Sequence, residues 1–337
     1  MNRLKLIAFV VAAAAFAVLP CFSETAGHYA PGLAVICGIA FSVLWGNPLA
    51  RLTAKLTTHL LAVSIVLMGF GMDLFGVLRA GVNGLVYTFA GIVMGICLGR
   101  WLGKRLRLDD ECSWLISVGT SICGGSAIAA AAPALKARPH SIAIASATVF
   151  TLNAAALLIF PLIGHRLGFS QAQFGFWSAL AIHDTSSVVG ATMQYGREAL
   201  EVGTTIKLAR ALWIIPVTLF LSLCVAGRGE NKPGEGRRKL NVRVPWFIPG
   251  FLVAAALVAL FPVLSGTGQA LKACATHLMI LTLFLIGANL SREKLRELGM
   301  KPVLMGIGLW IVLSTVWCVL IASGIVDAAA LAAGFVR

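Results

Sequence analysis

Apolar runs long enough to cross a bilayer follow one another along almost the whole chain. Hydrophobic residues make up 59% of the 337 residues, and charged residues only 12%. Because a helix of about 20 apolar residues crosses the hydrocarbon core, the pattern predicts an all-α polytopic membrane protein with about eleven transmembrane segments. The predicted segments cover residues 6–19, 29–47, 56–74, 80–102, 112–135, 140–164, 173–195, 204–226, 245–264, 271–290 and 302–325.

Basic residues indicate the orientation of these segments. Most Lys and Arg residues lie in alternate loops, which by the positive-inside rule places the N-terminus in the cytoplasm and the C-terminus outside a bacterial inner membrane. The formal charge of +14 therefore belongs to loops and does not indicate a nucleic-acid partner. We predict one transporter domain, with an N-terminal helix and loop (1–28), a first half (29–226), a cytoplasmic linker (227–243) and a second half (244–337).

The segment 112–135 is a poor candidate for one continuous helix. Adjacent glycines each cost about 1 kcal/mol in a helix interior, so we expect a break near Gly124. Breaks in transporter helices point half-helix N-termini at the substrate. Close packing of small residues against a neighbouring helix is the alternative. The predicted substrate-binding residues are Ser121, Cys123, Gly124, Gly125 and Ser126.

A second polar stretch interrupts the segment 173–195. An ionised Asp at mid-membrane costs about 2.5–3.5 kcal/mol, so Asp184 is a functional candidate. We predict that it carries the coupling ion or proton together with His183, and that the following hydroxyls bind substrate. The alternative is that Asp184 caps a half-helix that begins at Thr185. The three hydroxyl residues are Thr185, Ser186 and Ser187.

The next segment begins with two basic residues on one helical face, Lys207 and Arg210. Their long side chains are able to reach the headgroups from an interfacial position, which is the structural alternative. However, they lie on the side that the positive-inside rule keeps poor in charge. Pairing with Asp184, or binding of an anionic substrate, explains them better.

The charges of two residues after the first broken segment conflict with a topology of eleven full spans. Lys136 and Arg138 fall on the outer side in that topology. Re-entrant hairpins at 112–135 and 173–195 would return them to the cytoplasm, which leaves about nine full spans as a second topology. Weak internal similarity between 29–102 and 245–325, and between the two polar stretches, favours an inverted-repeat transporter.

Other candidate residues are fewer. Asp73 is a candidate for the coupling ion, although a structural role at a helix end is favoured for it, and Asn153 either faces the site or packs. The eight cysteines include no CxxC pair, so we predict neither a disulfide framework nor a metal site. The sequence has no GxxxxGK[ST] loop for ATP, and no cofactor is expected. Membrane lipid surrounds such a chain, and a homodimer is left open.

Three motifs carry a resemblance to a known family. GTSICGGSAIAAAAP, HDTSSVVGA and KLARALWIIP, in this order and spacing, resemble the YeiH-type family, which comprises UPF0324-like bacterial inner-membrane proteins named as sulfate exporters. The resemblance extends from about residue 30 to the last segment. It implies that Asp184 is the family's acidic position and that Lys207 and Arg210 are its basic pair. It also implies an anion exporter with crossed discontinuous helices, by analogy of fold.

The sequence therefore predicts a secondary transporter that exports a small anion, sulfate or an organosulfonate, with coupling to protons or sodium. A monovalent cation/proton antiporter is the alternative, with Asp184 and Asp73 as carriers and Lys207 as counter-ion. An anion channel and an intramembrane hydrolase are the remaining alternatives. Adjacent His183 and Asp184 point about 100° apart on a helix, which is a poor geometry for a catalytic triad.

Overall fold

The computed structural model describes residues 3–18, 24–226, 246–289 and 299–327, and within these ranges the chain is helical without strands. The all-α prediction is confirmed. The predicted linker 227–243 lies outside the described residues. The helices are α1 (Arg3–Val18), α2 (Glu24–Trp45), α3 (Ala50–Gly69), α4 (Leu74–Arg105), α5 (Asp110–Ser121), α6 (Gly125–Ala134), α7 (Pro139–Arg166), α8 (Gln171–Ala181), α9 (Thr185–Tyr195), α10 (Arg197–Ala211), α11 (Ile214–Ala226), α12 (Phe247–Leu260), α13 (Ser265–Ala288) and α14 (Met300–Ala322).

Six helical stretches of the described chain are long and apolar enough to cross a membrane: Ala50–Gly69, Leu74–Arg105, Pro139–Arg166, Arg197–Leu223, Pro262–Ala288 and Met300–Ala322. The predicted count of about eleven is therefore not confirmed. The two polar segments account for part of the difference, because each is divided into two short helices of 10 to 12 residues. At 1.5 Å per residue, each of these four helices is too short to span a bilayer alone.

The helices pack as two bundles. The first bundle consists of α1, α2, α3, α12 and α13, with α13 lying against α1, α2 and α3. Its aromatic residues include Phe9, which contacts Phe41 and Phe284. The second bundle consists of α4 to α11 and α14, and it contains both broken segments. Contacts between the bundles run mainly from α2 and α13 to α9 and from α12 to α4.

Helices α4 and α5 are antiparallel and pack closely through small residues. A Cβ atom on Gly95, Gly99 or Gly103 of α4 would lie 3.2, 2.8 or 2.7 Å from the Cβ atom of the serine opposite it on α5. Glycine at these positions lets the two backbones approach, as in small-xxx-small interfaces of membrane helices. The serines are, in order, Ser121, Ser117 and Ser113. The α5 half-helix is thereby fixed against the long α4.

Helices α5 and α6 form a hairpin whose two ends lie together. Arg138, just after α6, donates from its backbone N–H and Nε to Glu111 Oε2 at 2.9 and 3.2 Å. Its guanidinium also donates to Asp109, and Ser141 donates to Glu111 at 3.1 Å. The chain therefore returns, after the break at Gly124, to the level at which α5 began.

Helices α8 and α9 form a second hairpin at the opposite end of α7. The Tyr195 hydroxyl, at the end of α9, donates to the Phe169 carbonyl at 2.6 Å, and its ring stacks on Phe174 at 3.8 Å between centroids. The Glu198 backbone N–H donates to Gln171 Oε1 at 3.0 Å. Since α7 runs from the open end of the first hairpin to that of the second, the two hairpins enter the bundle from opposite ends.

Candidate functional site

The tips of the two hairpins meet inside the second bundle. The first tip contains Gly124, whose φ of +68° is a left-handed conformation that favours glycine. A Cβ atom on Gly124 would lie 3.3 Å from the Cβ atom of Asp184 in the second tip. The predicted breaks in both segments are therefore confirmed, and long-range packing brings them together.

Asp184 caps the N-terminus of α9. Its side chain accepts a hydrogen bond from the Ser186 backbone N–H at 3.1 Å and a second one from the Ser186 hydroxyl. The capping alternative for Asp184 is confirmed. Asp184 is half-buried, while Thr185, Ser186 and Ser187 are buried in the first turn of α9.

Arg210 of α10 connects the two hairpins. Its Nε donates to the Ser121 carbonyl at 2.7 Å, at the end of α5. One terminal nitrogen donates to the carbonyls of Ala179 and Leu180, near the end of α8, at 3.1 and 2.6 Å. The side chain is 1% exposed. The guanidinium thus binds carbonyls that the two half-helices leave without intrahelical partners.

Lys207 lies one turn earlier on α10 and binds the same end of α8. Its ammonium donates to the carbonyls of Ile182 and Ala179 at 2.6 and 3.3 Å, and the residue is 0% exposed. Cations at helix C-termini are stabilised by the helix dipole. Neither Lys207 nor Arg210 forms an ion pair with Asp184 in the described chain, so direct pairing, one of the two explanations that the sequence offered, is not observed.

The other predicted site residues are placed differently from one another. The Ser121 side chain faces Gly95, so only its carbonyl reaches Arg210. Cys123 is buried, while Gly125 lies where a Cβ atom would be 2.6 Å from the Phe150 ring. The Ser126 side chain is exposed on the outside of the bundle. At the first tip, backbone groups are therefore better placed than side chains to contact a ligand.

Asp73 lies at the N-terminus of α4. Its carboxylate accepts from the Gly76 backbone N–H at 2.7 Å, so it caps that helix. No hydrogen bond or ion pair connects it with a hairpin-tip residue within the described ranges. Asp73 and Asp184 are therefore not brought into direct contact.

Asn153 of α7 is a site residue whose role the sequence left open. Its Oδ1 accepts from the backbone N–H groups of His183 and Asp184, both at 3.2 Å. Its Nδ2 has no hydrogen-bond partner among the described residues. An isolated Asn in an apolar helix was the only local indication of a polar role in the sequence. The fold, and not the sequence, places this residue against the second tip.

Further polar atoms near the tips are buried without a hydrogen-bond partner in the described chain. They include Thr120 Oγ1 at the end of α5 and both ring nitrogens of His183. Buried polar groups ordinarily find protein, water or ligand partners. The described residues contain no group of three or more His, Cys, Asp or Glu side chains suited to a metal ion. The arrangement offers donors and hydroxyls for a small polar ligand.

The comparisons with known proteins agree with one another. A family model described as Conserved hypothetical protein 698 matches residues 4–306. The UPF0324 membrane protein Bd1437 of Bdellovibrio bacteriovorus is 50% identical over 94% of each chain. GSU2818 of Geobacter sulfurreducens is 47% identical over 83% of this chain and 87% of its own, and VV1_3166 of Vibrio vulnificus is 44% identical over 94% and 97%.

These relatives are named as membrane proteins, and none of the three names describes an enzyme. No solved structure gives a significant match. The family model covers most of the chain, and the relatives match it almost from end to end. The chain is therefore a multi-span helical membrane protein that belongs to the UPF0324 membrane protein family.

Proposed function

We propose that the chain is a secondary transporter that exports a small anion, sulfate or an organosulfonate, by alternating access coupled to protons or sodium. The observation that carries this proposal is the excess of positive charge at the hairpin tips. Two basic side chains, Lys207 and Arg210, are fully buried there. Among the described residues, Asp184 has the only carboxylate that forms a hydrogen bond at a tip.

The helix ends at the tips do not remove this excess. Each helix N-terminus carries a partial charge of about +0.5 and each C-terminus about −0.5. Two N-termini, of α6 and α9, and two C-termini, of α5 and α8, meet at the tips. Their partial charges cancel, so about one positive charge is left in excess. A bound anion reduces this excess, whereas a bound cation increases it.

The topology that we propose has two re-entrant hairpins entering from opposite sides, within an inverted-repeat architecture. The contacts of Arg138 with Asp109 and Glu111 support it, because they hold both ends of the first hairpin at one level. Lys136 and Arg138 then belong to the cytoplasmic side of the inner membrane, in agreement with the positive-inside rule. The N-terminus is cytoplasmic and the C-terminus lies outside in this arrangement.

The contacts support the roles that we propose within the site. The uncapped N-terminus of α6, which begins at Gly125 and has no side-chain cap, offers backbone N–H groups to the anion. The hydroxyls of the first turn of α9 are further donors. Lys207 and Arg210 act through their charge while they bind helix carbonyls. Asp184, with His183, carries the coupling ion or proton.

Cation/proton antiport is a second candidate, and the half-buried carboxylate of Asp184 favours it. In that function Asp184 would bind the cation and proton in turn, with Lys207 as counter-ion. The capping role of Asp73 argues against a second carrier at the tips. The excess of positive charge described above makes this function the weaker of the two.

The experiment compares wild type with Asp184→Asn in inside-out proteoliposomes. Asn keeps an oxygen to cap the Ser186 N–H, so the fold of the tip is retained. We expect saturable uptake of labelled sulfate or taurine in wild type. Asp184→Asn keeps anion exchange but loses its response to a proton or sodium gradient. Asp73→Asn, which changes a helix cap outside the site, serves as the control and behaves as wild type.

The opposite results separate the alternatives. Absence of anion flux in wild type, together with proton movement on addition of sodium or potassium that Asp184→Asn abolishes, rejects export and supports antiport. Flux that rises linearly with anion concentration, without saturation, supports a channel.

A further inference from the structure

The side-chain amide of Asn153 has one satisfied end and one free end. Its Oδ1 accepts two hydrogen bonds, from the backbone N–H groups of His183 and Asp184. These bonds fix the orientation of the amide, since the NH₂ group could not accept them. Nδ2 therefore points elsewhere, and it is buried without a hydrogen-bond partner in the described chain, on a residue only 3% exposed.

The free end of this amide faces the start of α6. A Cβ atom on Gly124, the N-cap residue of α6, would lie 3.6 Å from Asn153 Nδ2. Gly124 has no side chain to fill this space, and so none to cap the helix as its N-cap residue. The first backbone N–H groups of a helix have no intrahelical acceptor. Donors from two separate elements, α7 and α6, therefore converge beside Gly124.

Neighbouring groups add to the same deficit of acceptors. Both ring nitrogens of His183 are buried without a partner, and at least one of them carries a proton in every state of the ring. The nearest carboxylate, that of Asp184, already accepts two hydrogen bonds from Ser186. An unpaired buried donor is destabilising, so a ligand with several acceptor atoms is stabilised here.

We propose that Asn153 Nδ2 is a direct contact of the transported anion and selects oxyanions, such as sulfate or a sulfonate, over halides. This inference rests on the proposed function and adds the determinant of its substrate class. Donors that approach from different elements in fixed directions each need an acceptor lone pair. A tetrahedral oxyanion supplies several oxygens in different directions, whereas a halide is a single small sphere.

The same side chain connects the ligand to the second hairpin. Asn153 Oδ1 holds the backbone of His183 and Asp184, the residues to which we assign coupling. A ligand bound to Nδ2 is therefore connected, through this one amide group, to the break between α8 and α9. Asn153 both positions this break and contacts the anion.

The experiment measures the affinity of the purified full-length protein for sulfate, taurine and chloride in detergent, by calorimetry, for three variants. Asn153→Asp keeps the acceptor for both backbone N–H groups but loses the donor. Asn153→Leu loses both. Thr148→Val is the matched control: it removes another buried hydroxyl of α7 that has no partner in the described chain, on a residue whose methyl group faces Gly306 of α14.

At about neutral pH, where an Asp side chain is ionised, we expect Asn153→Asp and Asn153→Leu each to weaken sulfate and taurine binding at least tenfold. Both variants should also reduce the preference of the protein for these oxyanions over chloride. Thr148→Val binds as wild type. At a pH below the ordinary aspartate pKa of about 3.9, a protonated Asp regains an O–H donor and loses its charge, so Asn153→Asp recovers relative to wild type while Asn153→Leu does not.

Wild-type affinity in both Asn153 variants overturns this inference alone and assigns the free amide to water. The same holds if Asn153→Leu keeps its oxyanion affinity, whatever the Asp variant does. Absence of any anion binding by the wild type overturns the proposed function itself. If Asn153→Leu does not fold, the pH recovery of Asn153→Asp decides the question, because its backbone contacts are retained.

Discussion

At the scale of single residues, Arg210 and Lys207 differ most from what their sequence context predicts. Two buried basic residues near a conspicuous Asp suggest an ion pair, yet the structure gives them helix carbonyls. The sequence shows which helices break, and the Asp184 cap was predictable because its donor, the Ser186 backbone N–H, is two residues away. The carbonyls of Ser121 and Leu180 reach Arg210 only through tertiary packing, which no local pattern encodes.

Arg210→Lys tests the role of the guanidinium geometry. Lys keeps the charge, but one ammonium at that position cannot reach carbonyls of both hairpins, so buried carbonyls lose their donors. Each such loss costs about 1–3 kcal/mol, and we expect the free energy of unfolding to fall by about 3 kcal/mol. Thermal unfolding in detergent measures it, with the exposed Arg166→Lys as control. Equal stability of the two variants would contradict the bridging role.

Glu111→Gln tests the closure of the first hairpin by its pH dependence. The backbone hydrogen bond from Arg138, with further ones from its side chain and Ser141, holds the pKa of Glu111 below its ordinary value. The folded state thus favours the carboxylate, and the contribution is full above the ordinary pKa of about 4.3. It is lost as the pH falls through the lowered pKa.

We therefore expect wild type to lose more thermal stability than Glu111→Gln between about pH 5 and pH 3. The measurement is the melting temperature as a function of pH. Glu198→Gln, which removes a carboxylate that forms no ion pair in the described chain, is the control and keeps the wild-type slope. The same slope for Glu111→Gln would argue that its carboxylate does not hold the hairpin.

At the scale of elements, the breaks were predictable, whereas the sequence offered the folding back of each half-helix only as one of two topologies. Glycine pairs and buried hydroxyls weaken a helix locally, which gives the position of the break. Whether the chain continues across the bilayer or turns back depends on distant partners such as Arg138 with Asp109. In the sequence, the charges of Lys136 and Arg138 indicated the folding back only indirectly, through the positive-inside rule.

The interface of α4 with α5 gives a prediction at this scale. A methyl group at Gly99 would lie 2.8 Å from Ser117 Cβ and 3.3 Å from its backbone Cα, so the helices must separate. We expect Gly99→Ala to destabilise the protein by about 1–3 kcal/mol. Adding Ser117→Gly restores room and part of the stability. Thermal unfolding compares them with Gly266→Ala, where no atom lies within 4 Å of the added methyl.

A loss in Gly266→Ala as large as that in Gly99→Ala would show that the effect is not one of helix approach. Failure of Ser117→Gly to recover any stability in the double variant would point in the same direction.

At the scale of the whole molecule, a single ion pair connects the two bundles across the described chain. Lys272 of α13 donates to Glu201 of α10 at 2.5 Å, and both side chains are nearly buried, with 12% and 11% exposure. The ammonium also donates to the Gly71 carbonyl at 3.3 Å. The two residues are far apart in sequence, and neither belongs to a polar cluster, so sequence reasoning did not single them out.

A double-mutant cycle of Glu201→Gln and Lys272→Met measures this connection. We expect a coupling energy of about 1–3 kcal/mol in thermal unfolding, because the pair is shielded from solvent. The exposed pair Arg138 with Asp109, at 62% and 68% exposure, is the control and couples by less than about 1 kcal/mol. Additive effects of Glu201→Gln and Lys272→Met would mean that the bundles are held together elsewhere.

The position of Arg210 has a consequence for how such a protein exposes its interior. One guanidinium on α10 holds the tip of each hairpin, so the tips cannot part without leaving either the Ser121 or the Leu180 carbonyl without its donor from Arg210. In the proposed transporter, a ligand between the tips would therefore not be released by opening a cleft there. In the transporter that we propose, the second bundle would instead slide past the first as one body and carry the ligand through the membrane, with the Lys272 and Glu201 pair breaking in each cycle.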